Sequence, residues 1–124
     1  MGPGLSWAEL LALWAYAAMM RALQPLLRRK LRRRGRQEPG YLMNVPERFG
    51  FYDGLAPDPG RIWVHAVSLG ETRAAAILIE ALRAVLPDMR LLLTHSTATG
   101  WAQGQSLLRP GDTQAWLPWD TPEA

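Results

Sequence analysis

The sequence predicts an α/β fold in which an N-terminal anchor helix precedes the start of a Rossmann-like parallel sheet. Three observations carry that prediction: a long apolar stretch followed by a basic run, short apolar segments alternating with segments of helical periodicity, and turn residues at the junctions. The 124 residues divide into an anchor helix over 1–27, a basic neck and connector over 28–60, and a partial Rossmann-like domain over 61–124.

Leu5 to Met20 is rich in Leu, Ala, Trp and Met, with Glu9 as its single charge. Continued to Leu27, a helix here reaches the roughly 20 residues that a bilayer span needs, although Arg21 interrupts its far end. Ala15-Tyr16-Ala17 has the spacing of a cleavage site, yet no Lys or Arg precedes Arg21 and a dense basic run follows it, the reverse of a secretory signal. The positive-inside rule keeps that run cytoplasmic, so the helix either spans the membrane once or lies in the interface. Glu9 and Arg21 leave open a third reading, an amphipathic helix packed on the body.

Charge is divided unevenly. Met1 to Arg36 carry eight Lys or Arg against one acid, while the remaining residues carry six against ten, so a basic neck joins a mildly acidic body. Just cytoplasmic of an anchor, each basic side chain gains about 1 kcal/mol from anionic headgroups. No aromatic residue interrupts Arg28 to Arg36 to stack bases, which makes anionic membrane lipids, and no nucleic acid, the expected partner. The absence of cysteine excludes disulfides, a thiolate nucleophile and Cys-based zinc sites.

Gln37 to Gly60 holds four prolines and four glycines and reads as a connector with little regular structure, within which Glu47 to Tyr52 is aromatic enough to pack on the body. Ile62 to Val67 is an apolar, β-rich run that suits a strand buried on both faces. From Thr72 to Leu86 apolar residues recur at Ala75, Leu78, Ile79 and Leu82 with a helical period, and Pro87 and Asp88 stop it. Leu91 to Thr94 is a second strand, Trp101 to Leu108 a weaker helix, and Gln114 to Trp119 a third strand, in which Trp116 and Trp119 are expected in the core. Asp120-Thr121-Pro122-Glu123 has the composition of a helix start and is expected to open a helix that continues in a longer protein.

In such sheets ligands bind beyond the carboxyl ends of the strands, which brings forward Ser68 to Glu71 and His95 to Gly100. Ser68-Leu69-Gly70-Glu71 fits a capping box, with Ser68 accepting from a helix amide and Glu71 reaching back to the Ser68 amide. It equally fits a site in which Gly70 lets the backbone approach a ligand and Glu71 is a general base for a substrate hydroxyl. His65 and His95 read as hydrogen-bonded structural residues, and Thr97 to Gly100 as a turn. There is no HExxH, no Asp-x-Asp pair and no GxGxxG, so neither a metal nor a cofactor is expected.

The string from Trp63 through Val67-Ser68-Leu69-Gly70-Glu71-Thr72-Arg73 to Ala75 resembles the first strand and loop of bacterial 3-deoxy-D-manno-octulosonic acid (Kdo) transferases. Arg34-Gly35-Arg36 with Pro39-Gly40-Tyr41 and Glu47-Arg48-Phe49-Gly50 is similar to their connector, Leu92-Leu93-Thr94 with Thr99-Gly100 to their second strand and turn, and Leu117-Pro118-Trp119-Asp120 to their third. His95-Ser96 and Leu69 depart from the common pattern without altering ionisable chemistry at Glu71.

The resemblance implies the N-terminal half of a GT-B glycosyltransferase on the cytoplasmic side of the bacterial inner membrane. Its reaction would be transfer of Kdo from CMP-Kdo to a lipid A precursor, with Glu71 as the base and Ser68, Gly70 and Arg73 as the acceptor-side loop. It also implies that the CMP-Kdo-binding half lies outside these residues, so the chain alone is expected to be inactive. A membrane-tethered interaction module, in which Glu71 only caps a helix, is the alternative.

Overall fold

The computed structural model describes residues 4–54 and 58–124. Helix α1 spans Trp7–Gly35 and begins at a complete capping box: Glu9 N–H donates to Ser6 Oγ, and Ser6 N–H donates to the Glu9 carboxylate. The lone acid of the apolar stretch therefore satisfies orphan amides at the helix start. The helix runs on past Leu27 through the basic residues, with Pro25 inside it, so the basic neck is helical to Gly35. Arg32, Arg33 and Arg34 fall in its last turn, where cations complement the helix dipole.

Two short 3₁₀ turns, Pro39–Leu42 and Val45–Phe49, shape the connector. Both have a proline in their first turn. Left-handed Gly50 ends the second, and a Cβ there would collide with the backbone of Glu123. Tyr41, Arg48 and Phe49 are buried, and Tyr41 and Phe49 with Leu31 form a small core joined by Leu27, Val45, Ala98 and Trp119. Phe49 meets Trp119 edge to face at 5.3 Å. The aromatic string thus seats the connector on both α1 and the sheet.

The sheet is built from β1 (Arg61–His65), β2 (Arg90–His95) and β3 (Thr113–Trp116), parallel and in sequential order. Trp63 pairs with Leu92, and Thr94 with Ala115. Helix α2 (Leu69–Val85) links the first two strands and α3 (Ala98–Gln105) the last two. Ile79, Leu91 and Leu93 form the second core, with Val64, Ala75, Met89, Leu107 and Leu108 around it. Helices α2 and α3 pack against each other, on the face of the sheet that carries Leu91 and Leu93.

The other face is open among the described residues. Trp63 is 61% exposed and Ile62 only half-buried, which overturns the expectation of a first strand buried on both faces. β1 is an edge strand here, and its odd residues point away from both helices. Residues 121–124 form a single turn closed by Ala124 N–H on the Thr121 carbonyl. Thr121 is turned inward, its hydroxyl donating to the Phe49 carbonyl over 3.2 Å. Trp116 is fully buried, as expected, but β3 stops there, and Trp119 follows as a half-buried residue beyond the strand.

Candidate functional site

The carboxyl ends of β1 and β2 bring the two loops together. Leaving β1, the chain passes through Ala66 and Val67 to Ser68, an extended N-cap residue, and enters α2. The Ser68 carbonyl accepts both the N–H and the hydroxyl of buried Thr72, at 2.9 and 2.8 Å. Its own hydroxyl makes no capping bond. Glu71 reaches one residue further back than a capping box requires and accepts the Val67 N–H over 2.5 Å. The box expected at Ser68 is therefore replaced by a longer loop, in which the Val67 amide, not that of Ser68, meets the glutamate.

Val67 is gripped from its other side as well. Its carbonyl accepts the Ser96 N–H at 3.2 Å, the Thr97 N–H at 3.1 Å and the Thr97 hydroxyl at 3.0 Å. The same Thr97 oxygen accepts the Gly100 N–H and caps α3, so the segment read as a turn is a helix N-terminus. Gly100 permits this closeness: a Cβ at that position would stand 3.0 Å from the Val67 carbonyl oxygen and 3.1 Å from Ser68. Side-chain volume there would wedge the two loops apart.

His95 lies fully buried beneath the pair. Its Nδ1 is 2.8 Å from the Ala66 carbonyl, which can only accept, so Nδ1 carries the proton and donates. Nε2 is buried with no partner among the described residues. Burial pushes the imidazole below its ordinary pKa and outweighs the Ala66 hydrogen bond, which acts the other way. His65 lies on the opposite face, where its Nδ1 shares the Thr94 hydroxyl with the Trp63 indole. Both histidines are thus hydrogen-bonded structural residues.

The residue that sequence reasoning passed over is Arg48. It is 2% exposed, with its guanidinium 3.8 Å above the Trp116 ring, and Nη1 donates to the Ser96 carbonyl over 3.2 Å. Desolvation pulls this arginine down to about 10, whereas burial raises the neighbouring Glu47, whose carboxylate accepts the Trp116 N–H at 2.9 Å. The only sequence signal was its place within the aromatic string of the connector.

Of the residues singled out in advance, Ser68, Gly70, Glu71 and Arg73 do come together at the start of α2. Gly70, Glu71 and Arg73 are exposed, and a Cβ on Gly70 would meet nothing within 4 Å. Among the described residues the second Glu71 oxygen has no hydrogen-bond partner, which leaves it able to accept a proton from an incoming hydroxyl. No group of three or more His, Cys, Asp or Glu capable of holding a metal occurs among the described residues. A separate hollow of about 460 Å³ lies over the open sheet face, lined by Tyr52, Trp63, Leu92, Thr94, Ala115 and Pro118, and does not include Glu71.

A parallel sheet covered by helices on one face, with a carboxylate presented at its carboxyl edge, defines an α/β domain with a loop-built site. A family model described as 3-deoxy-D-manno-octulosonic-acid transferase (Kdo transferase) matches residues 43–124, and the chain belongs to that family. It is 44% identical over 117 residues to a 3-deoxy-D-manno-octulosonic acid transferase of Bordetella pertussis, covering 88% of this chain and 27% of the relative. A probable mitochondrial 3-deoxy-D-manno-octulosonic acid transferase of Arabidopsis thaliana is 33% identical, over 88% of this chain and 24% of its own length. A Haemophilus influenzae transferase of the same description is 30% identical, over 86% and 25%. The chain thus spans about a quarter of the length of these relatives. No solved structure matches it significantly.

Proposed function

We propose that this chain is the acceptor-side, base-bearing part of a GT-B glycosyltransferase that moves Kdo from CMP-Kdo to a lipid A precursor. Family membership supports the reading, and one observation carries it: Glu71 stands exposed over the carboxyl edge of the sheet with one oxygen on the Val67 N–H and the other open. In this reading that oxygen takes the proton of an acceptor hydroxyl as the hydroxyl attacks the anomeric carbon and CMP departs. The Ser68 hydroxyl, unused as a cap, and the exposed Arg73 line the approach, and Gly70 keeps it free of side-chain bulk. No metal or cofactor takes part.

A chimera tests this, with the chain replacing the matching segment of the Bordetella pertussis relative. It should transfer Kdo, and Glu71→Gln should lower the rate by at least about 100-fold. Near-parental transfer by the Glu71→Gln chimera would remove the catalytic role. A folded chimera with no transfer at all would favour the membrane-tethered interaction module.

For α1 we propose an interfacial seat on the cytoplasmic side of a bacterial inner membrane. The helix is long and apolar enough to cross a bilayer, but Tyr16 hydrogen-bonds to Asp120 and Arg21 pairs with Glu123 at 3.6 Å. Residues 7–15 alone would then stand clear of the body, a rise of about 14 Å at 1.5 Å per residue. The hydrocarbon core is roughly 30 Å thick. Trp7, Leu11, Trp14, Pro25, Arg29, Arg32 and Arg36 fall on one helical stripe, apolar at its start and cationic at its end, a pattern suited to an anionic lipid surface.

A further inference from the structure

We infer that Arg48 is a positioning residue for Glu71, acting through the Ser96–Thr97 peptide group and Val67; the catalytic meaning of this role rests on Glu71 being the base. A guanidinium is costly to bury, and here Nε and Nη2 have no partner among the described residues. Packing alone does not call for it, since an apolar side chain of similar volume would fill the space over Trp116. Beyond cation–π contact with Trp116, Tyr41 and Trp119, what the arginine adds is one directed bond, Nη1 to the Ser96 carbonyl.

That carbonyl and the Thr97 N–H belong to one planar trans peptide, so fixing the first aims the second in the opposite direction, at the Val67 carbonyl 3.1 Å away. Hydrogen bonds in series through a peptide group also polarise one another. Three donors then hold the Val67 carbonyl, and the Val67 N–H holds Glu71. The Val67 carbonyl and N–H lie in adjacent peptide groups joined at its Cα, so pinning the carbonyl restrains the amide that holds Glu71, and the connector reaches the carboxylate without touching it, across a span from residue 48 to residue 71.

The Val67 amide proton is the reporter, read by NMR on the full 124-residue chain in detergent micelles. Glu71→Gln weakens its acceptor and sets the size of the upfield displacement that loss of the carboxylate causes. Arg48→Met, which preserves bulk against Trp116, should displace the same proton upfield by at least half as much, and Arg48→Lys should return it toward the wild-type position. A folded Arg48→Met chain whose Val67 proton moves by less than half overturns the inference, since a purely structural arginine would lower the melting temperature without moving it.

If Arg48→Met does not fold, Thr97→Val removes one of the three donors to the Val67 carbonyl at a position away from the Arg48–Trp116 stack. It should move the proton in the same direction, and an unmoved proton overturns the relay. These shifts do not depend on turnover. A relay that holds while the Glu71→Gln chimera keeps its activity therefore faults only the catalytic reading, and the converse result faults only the relay.

Discussion

The Val67 N–H donates to the Glu71 carboxylate over 2.5 Å, closing a loop from the end of β1 onto the first turn of α2. The glutamate thereby ties the residue before the N-cap to the first turn of the helix, and this bond leaves one oxygen unengaged. Holding the loop and accepting a proton are compatible uses of a single carboxylate.

This arrangement separates stability from chemistry. Glu71→Ala removes the acceptor and should cost about 1 kcal/mol, as loss of one hydrogen bond usually does. Glu71→Gln keeps an oxygen for the Val67 amide and should cost less, while losing the base. Thermal melts of the two variants beside chimera assays check whether the effects divide this way.

Arg83 and Asp112 form the best-buried ion pair, 2.5 Å apart with side chains 5% and 2% exposed. Asp112 also accepts the Leu91 and Arg109 backbone N–H groups, tying the β3 approach to β2 and α2. Asp112→Ala would leave the buried Arg83 guanidinium with only the exposed Glu80 carboxylate, 3.7 Å away, as counter-charge and should cost about 3 kcal/mol in chemical denaturation followed by tryptophan fluorescence. The double change Arg83→Met with Asp112→Leu should recover much of that loss.

His95 makes the fold acid-sensitive. Burial holds its folded pKa below the ordinary 6.5, so the unfolded chain binds the proton more readily. Its contribution is fully present above about pH 6.5 and is lost as pH falls from there through the lower folded value. Melting temperature should decline across that window, and His95→Gln should flatten the decline. A His95→Gln profile as steep as the wild type would place the sensitivity elsewhere.

The basic end of α1 is divided between two duties. Arg28 lies 4.1 Å from the centre of the Phe49 ring and Arg34 5.4 Å from that of Tyr41, so these two bind the helix to the connector. Arg29, Lys30, Arg32, Arg33 and Arg36 border an open surface beside Pro25. Replacing Arg29, Arg32, Arg33 and Arg36 with Gln should weaken binding to anionic vesicles by at least about tenfold, given the usual headgroup attraction per basic side chain. Neutral phosphatidylcholine vesicles should not distinguish the variant from the wild type, and the melting temperature should hold.

Much of the architecture was legible in the chain. The helical period of Ala75, Ile79 and Leu82, the stop at Pro87 and the short apolar runs ahead of Ser68 and His95 gave the order of elements, because period, cap and breaker all act within a few residues of each other. The place of Glu71 at the start of α2 was legible for the same local reason, and the proposal that it is a base comes from family resemblance rather than spacing. Local signals misjudged the reach of its carboxylate by one residue and cut the anchor helix short at its basic end.

The sequence alone determined which chemistry is available at the carboxyl edge: a glutamate beside a glycine, a serine and an arginine, and no thiol. Only the tertiary structure decided that Trp63 faces outward, that α1 leans on residues 120–123, and that Arg48 is buried against Trp116 with one bond to Ser96. Those outcomes join residues 48 to 104 positions apart in the chain. No local period or propensity encodes such a meeting; it is set by which faces the parallel crossovers bring together and by what each buried polar group finds there.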